Sequence, residues 1–151
     1  MNFSGAKLML FLGPDLLTIL RDDDPGIPWP GHWDLPGGGR EKGETPVECV
    51  LRETREEVGL SLSPRDLTWS REFAIPGGSS WFFAAHTPAE LAKQVRLGDE
   101  GQRWQLMRPE HYCAHPATIP RFAERIRIYL SEMKPLCGTA RKNPPRFRRG
   151  V

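Results

Sequence analysis

The chain has 151 residues, of which 38% are hydrophobic and 26% charged, with 7 Phe and 5 Trp. That is one domain with enough apolar side chains to offset ordering entropy, which excludes a disordered chain and a two-core protein. The net charge of +2 is uneven: six Lys/Arg and no acid follow residue 133, leaving residues 1–133 with 15 basic against 19 acidic side chains.

Taken from the N-terminus, Lys7–Leu12 and Leu16–Arg21 are short apolar runs separated by Gly13-Pro14-Asp15, the pattern of buried strands in a hairpin. The apolar stretch Leu8–Leu20 is too short for a membrane span of ~20 residues, and no small-residue cleavage site follows it. Asp22–Gly39 holds four prolines and five glycines and reads as an irregular loop. Thr45-Pro46-Val47-Glu48 is a capping box with proline at the first helical position, and Gly59 is a stop, so the pattern predicts a helix over Pro46–Val58.

Leu67, Trp69, Phe73 and Ile75 alternate with polar or small residues as in a half-buried strand. Pro76-Gly77-Gly78 turns the chain into a strand at Ser80–His86, and Thr87-Pro88-Ala89-Glu90 repeats the capping-box pattern ahead of a short helix. Arg103–Met107 reads as a strand. A final helix over Pro120–Met133 places Phe122, Ile126, Tyr129, Leu130 and Met133 on one face. Helices interleaved with hairpins predict a layered α/β protein.

The first long helix carries the chemistry. At about 100° per residue, Glu57 falls near 40° and Glu56 near 300° from Glu53, so three carboxylates share one side. Val47, Leu51, Thr54 and Val58 cluster near 130° as the expected core stripe. Like charges at these spacings repel by a few tenths of a kcal/mol each, and a hard cation is a natural neutraliser. The helix follows Pro36-Gly37-Gly38-Gly39, a loop whose backbone can approach a phosphate.

Gly38, Glu44, Arg52, Glu53, Glu56, Glu57 and Gly59 together resemble the Nudix hydrolase (MutT-like) signature G-x5-E-x7-R-E-U-x-E-E-x-G-U, where U is a bulky apolar residue. All seven fixed positions match, Leu60 fits the second U, and Thr54 departs from the first. Trp33-Asp34-Leu35-Pro36-Gly37 also looks like the family's approach to this box. The resemblance covers about residues 5–133 and implies an α/β/α sandwich with a mixed sheet, followed by a basic tail at 134–151.

The resemblance further implies Mg²⁺-dependent, or Mn²⁺-dependent, hydrolysis of a nucleoside diphosphate linked to another moiety. Carried over by position, Glu53, Glu56 and Glu57 are the metal ligands, with the Gly37 carbonyl as a further donor. Arg52 and Glu44 orient those ligands. Glu100 in Leu97-Gly98-Asp99-Glu100-Gly101 is the expected general base, with Asp99 and the box glutamates as rivals. Arg21 and Gly38 are candidates for the substrate's phosphates. Thr118 stands where relatives that sanitise nucleotide pools place a base-reading asparagine, or else caps the last helix. Trp29, His32, Trp33 and Trp81 are candidates to stack on a base.

His111-Tyr112-Cys113-Ala114-His115 fits no standard zinc spacing, and the three cysteines, odd in number and far apart, fit a reducing cytoplasm. The expected partner is a small nucleotide, with no membrane. Nucleic acid or a second copy of the chain are the partners that the basic tail would suit. Two rival readings remain at this level: a nucleotide-binding regulator without turnover, and an RNA 5′-end pyrophosphohydrolase that holds RNA through its tail.

Overall fold

A computed structural model describes residues 2–134. The basic segment 135–151, including Cys137, lies outside the described residues. Strands β1 (Phe3–Leu12), β2 (Asp15–Leu20), β3 (Trp33–Asp34), β4 (Gly37–Gly39), β5 (Leu67–Ile75), β6 (Gly78–Thr87) and β7 (Arg103–Met107) form one mixed sheet. Helices α1 (Pro46–Val58), α2 (Pro109–Ala114) and α3 (Pro120–Met133) cover its two faces.

The layers follow from alternation along β1. Leu8, Leu10 and Leu12 point into a core that includes Cys49, Val50 and Val58 of α1. Met9 and Phe11 point the other way, into a core with Tyr112 of α2 and Phe122, Ile126 and Tyr129 of α3. A strand buried on both faces is the centre of an α/β/α sandwich. β1 runs parallel to β6 over most of its length, and its other neighbours are antiparallel.

The expected hairpin of the first two strands forms only at its tip, through Phe11 opposite Leu16 and Leu12 opposite Asp15. Beyond it the strands part. β4 pairs with residues 5–7 of β1, β3 pairs with Ile19 and Leu20 of β2, and the Leu8 amide donates to Pro36 O at 2.8 Å. Residues 33–39, expected as irregular loop, are thus a wedge between β1 and β2. Glycine makes the wedge possible. Gly37 has φ +130°, and a Cβ there would lie 2.2 Å from Ala6 O.

Helix α1 has the expected bounds, and both halves of the Thr45/Glu48 capping box are formed. Its buried stripe is rotated towards the acids: Cys49, Val50, Thr54 and Val58 are fully buried, whereas Val47 and Leu51 are only half-buried. The cause is β4, which lies against the helix and covers Cys49, whose thiol points at Gly38 O 3.5 Å away. The second capping box does not form. Thr87 ends β6 and donates its hydroxyl to Phe11 O, so residues Ala89–Gln94 make only a 3-10 turn without a side-chain cap. Besides β3 and β4, two further short elements were not expected, the 3-10 turn Pro64–Asp66 and α2; each has proline in its first turn.

Thr54, the position that departs from the signature, is fully buried, and its hydroxyl has no hydrogen-bond partner among the described residues. A buried unpaired hydroxyl costs about 1–3 kcal/mol. Thr54→Val keeps the branched shape and removes the hydroxyl, so urea unfolding should show a gain of about 1 kcal/mol. A loss of stability would mean that the hydroxyl is bonded in solution.

Candidate active site

The wedge carries the box loop onto α1. The Gly37 amide donates to Glu57 Oε1 at 2.9 Å, and Gly38 lies so close to Glu53 that a Cβ would stand 2.6 Å from its carboxyl. Glycine at these two positions lets backbone and carboxylates share a wall. On the far side of the acids, the segment after the 3-10 turn is tied down by Arg96 N to Val58 O and Gly98 N to Glu57 O, each 2.9 Å. Gly98 is needed there, because its Cβ would sit 2.3 Å from Glu56 O.

These ties bring residues remote in sequence to one place. Glu53, Glu56, Glu57, Asp99 and Glu100 line a cleft of about 410 Å³. Glu57 and Glu100 also line an adjoining cleft of about 350 Å³ with Arg21 and Asp34. The structure thus places together the three helical acids, both loop acids and Arg21. Gly38 lines a third cavity beside them.

Arg52 organises the acids. Its Nε donates to Glu44 Oε2 at 2.5 Å and Nη2 to Glu44 Oε1 at 3.1 Å, a two-pronged pair. Its Nη1 reaches Glu53 Oε2 at 3.2 Å and Glu56 Oε1 at 3.0 Å, and Nη2 also reaches Gly39 O at 2.9 Å. The guanidinium holds the Glu44 carboxyl below its ordinary range, and Glu44 in turn holds Arg52 protonated. Both Glu44 oxygens face Arg52, and Oε1 also accepts from the Glu41 amide at 2.8 Å.

Glu53 and Glu57 are pushed the opposite way. Burial raises Glu53 despite the neighbouring Arg52. Burial also pushes Glu57 up to about 7, against the pull of Lys7 and the Gly37 amide and with help from Asp34 and Glu53. Burial outweighs the pull of Lys7 there, so the carboxylate is held at a cost that a cation beside it would relieve.

Lys7 and Asp34 escaped the sequence reading. Lys7 Nζ donates to Asp34 Oδ1 at 3.0 Å, Leu35 O at 3.2 Å and Gly37 O at 2.9 Å. Arg21 Nη1 meets Asp34 Oδ2 at 2.8 Å, and its Nε donates to Pro28 O. Asp34, 5% exposed, therefore fixes two cations at the edge of the cleft. The signal available was a lone lysine in an otherwise apolar strand.

The remaining candidates lie elsewhere. Thr118 is buried, its hydroxyl donates to His115 O at 3.2 Å, and it lines none of the three clefts. It does not cap α3, which has Ile119 at its N-cap and no side-chain cap. Trp33 is in the core, and Trp81 packs against the α1 side. Trp29 is exposed, in contact with His32. His115 Nδ1 accepts from Ala117 N.

The acids fit a hard divalent ion in kind and place: they are oxygen donors on one cleft, with a carboxyl destabilised as an anion by burial. Among the described residues no three His, Cys, Asp or Glu side chains are already gathered around one point. Glu53 and Glu56 lean to Arg52, and Glu57 to Gly37. The Gly37 carbonyl already accepts from Lys7, which leaves one lone pair free.

Comparisons with known proteins bear on the family and the fold. The NUDIX domain family model matches residues 5–128. A nucleoside triphosphatase NudI from Escherichia coli is 31% identical over 109 residues, covering 64% of this chain and 77% of the relative. An RNA pyrophosphohydrolase from Halorhodospira halophila is 31% identical over 102 residues, 63% of this chain and 52% of the relative, so the match spans about half of that protein. Among solved structures, a MutT protein from Methanosarcina mazei superposes with a TM-score of 0.70 at 21% identity, covering 88% and 96% of the two chains. A bifunctional NMN adenylyltransferase/ADP ribose pyrophosphatase from Francisella tularensis, complexed with AMP and a Mn ion, has a TM-score of 0.69 at 19% identity, covering 87% and 42%. At these identities the two structures share the fold.

Proposed function

The chain belongs to the Nudix family, and from that premise we propose that it is a Mg²⁺-dependent pyrophosphohydrolase of small nucleoside diphosphate derivatives. The observation that carries this reading is the shared cleft. Three box glutamates and a loop acid 43 residues beyond Glu57 line one cleft, and Glu57 and that loop acid share the adjoining one with a strand-end arginine, although only the glutamates are neighbours in sequence. A regulator that merely bound nucleotide would have no use for so many carboxylates against a polyanion.

Glu53, Glu56 and Glu57 would hold the ion, with the Gly37 carbonyl as a further oxygen donor. Bound there, the ion offsets diphosphate charge and makes an attacking water more acidic. Arg52 keeps the Glu53 and Glu56 carboxylates in place while Glu44 keeps Arg52 in place, the supporting role of partners behind ligands. Arg21, anchored by Asp34 and the Pro28 carbonyl, presents its remaining donors to phosphate oxygens. Glu100 is exposed at the mouth of both clefts and accepts the proton of the attacking water at its carboxylate. Thr118 plays no part in this reading.

The test is Mg²⁺-dependent release of phosphate or pyrophosphate from a panel of nucleoside triphosphates, damaged nucleotides, dinucleoside polyphosphates and nucleotide sugars. Silence across the panel with nucleotide binding retained would favour the regulator. Glu100→Gln should lower kcat at least about tenfold with little change in Mg²⁺ affinity, the signature of a lost base. An unaltered rate would move the proton acceptor to Asp99 or a box glutamate.

No helix among the described residues is long and apolar enough to cross a membrane. A reducing cytoplasmic setting, with residues 134–151 as a basic extension of a domain spanning residues 1–133, completes the proposal. An RNA 5′ end is the second substrate to test, since one relative is an RNA pyrophosphohydrolase. Salt separates the two: tail-driven RNA binding should weaken steeply as salt rises.

A further inference from the structure

Beside the acidic clefts lies a cavity of about 440 Å³, walled by Gly38 and Gly39 of the box loop, by β1 and β6, and by the first turns of α3. Its charge is of one sign. Among the described residues Lys7, Arg121 and Arg125 line it, and no acid does. Lys7 is answered by Asp34. Among the described residues no carboxylate forms an ion pair with Arg121 or Arg125, although at i,i+4 on one helix the two repel each other.

Arg125 is the unusual member. It is 6% exposed, and charged side chains are almost never buried to that degree without a partner. The rings of Phe73 and Phe82 lie 4.5 and 4.9 Å from its guanidinium carbon. Among the described residues its one hydrogen bond is Nη1 to Ser80 Oγ at 3.2 Å, and burial weakens its hold on the proton. A guanidinium has five donors in one plane. With aromatic contacts supplying most of its surroundings, the unused donors at its edge are left to what enters the cavity. The segment 135–151 contains no Asp or Glu, so no side chain of it can supply a carboxylate.

We propose that Arg125 is a specificity-determining residue that binds an oxyanion, a phosphate or carboxylate, on the part of the nucleotide derivative held in this cavity. The proposal rests on the reading of the chain as a nucleotide hydrolase and adds what kind of derivative it takes. An oxyanion presents two coplanar acceptors that match the guanidinium edge, and its charge offsets that of the two arginines. A neutral base can also offer an acceptor pair, but it would leave the positive charge of the cavity unanswered.

The test uses matched pairs that differ by one anion: coenzyme A against dephospho-coenzyme A and NADPH against NADH for an added phosphate, and UDP-glucuronate against UDP-glucose for a carboxylate. For wild-type protein, the anionic member of at least one pair should show at least about tenfold higher kcat/KM, a typical effect of a buried charged hydrogen bond. In Arg125→Met, which retains apolar bulk between the rings, that ratio should fall to near one. The ratio is insensitive to a fraction of unfolded protein, because both members see the same active fraction.

Arg125→Lys, which keeps the charge but loses the fork, should lower the ratio at least about threefold and carries the test if the methionine variant does not fold. Equal treatment of both members of all three pairs by wild type, or a ratio unchanged in the variants, would overturn the proposal and leave Arg125 as a purely structural stacking residue. If nothing is turned over, the hydrolase reading has failed, not this one. The same pairs are then compared by calorimetric binding in EDTA, where an Arg125-dependent preference supports the proposal and its absence overturns it.

Discussion

Glu57→Gln is expected to lower kcat at least about 100-fold and, in the same protein, to raise the stability of the metal-free fold. The first effect follows from its place in the cleft with Glu53, Glu56 and Glu100: the substitution removes a charge from the candidate metal site. The second follows from burial, which pushes the Glu57 carboxyl up to about 7 from an ordinary 4.5. Below about pH 4.5 the residue is protonated in folded and unfolded chains alike, and it costs nothing. As pH rises through 4.5 to 7 the unfolded chain gives up its proton freely while the folded one does so reluctantly, so wild-type stability falls over that window.

Glutamine escapes this loss and can still accept from the Gly37 amide through its own Oε1. Above pH 7 the metal-free variant should therefore be more stable by on the order of 2 kcal/mol, a magnitude reduced for a half-buried group. Thermal melts in EDTA at pH 4.5 and 7.5 would show the gap opening. Adding Mg²⁺ should then raise the melting temperature of wild type more than that of Glu57→Gln. Wild-type turnover in the variant would remove Glu57 from the metal site. A variant less stable at both pH values would show that the carboxylate is better solvated than its surroundings imply.

Gly37→Ala is expected to be the most damaging single change of the fold, with a loss above about 3 kcal/mol and of all activity. Two costs combine. The backbone there has φ +130°, a region side chains rarely adopt, and the new Cβ would stand 2.2 Å from Ala6 O and 2.7 Å from Lys7 Cα. Both obstacles are main-chain atoms of β1, the strand held by β6 on its far edge, so neither can yield cheaply. Whatever yields breaks the contacts of Gly37 with Glu57 and with Lys7. Gly43→Ala is the control. It also has positive φ, +83°, but nothing within 4 Å of a new Cβ, so its cost should stay near the 1–2 kcal/mol of left-handed strain. Equal losses in the two variants, read from urea unfolding, would show that strain and not the close approach dominates at Gly37.

Much of this molecule is written locally. The cap at Thr45, Pro46 at the first helical position and the stop at Gly59 define α1 by themselves, because helix ends depend on groups within a few residues. The angular spacing of Glu53, Glu56 and Glu57 places three acids on one side by helical geometry alone. Alternation in β5 and the apolar runs of β1 and β2 likewise identify strands without reference to partners. Where local signals competed with tertiary ones, the tertiary ones won. Thr87 has the capping pattern yet spends its hydroxyl on Phe11, and Val47 and Leu51 surrender the buried stripe to Cys49 and Val50 because β4 covers that flank.

The sequence by itself determined the family signature, the three acids on α1, the helix that bears them and the layered α/β class, since each depends on neighbours within a few turns of chain. Only the tertiary structure decided that residues 33–39 enter as a wedge between β1 and β2. The same is true of Asp34 gripping Lys7 and Arg21, of Glu100 meeting Glu57 across a cleft, and of Arg125, buried without a carboxylate beside a cavity. These contacts join residues tens of positions apart, and their energies depend on burial and charge that exist only once the sheet and helices have closed around them.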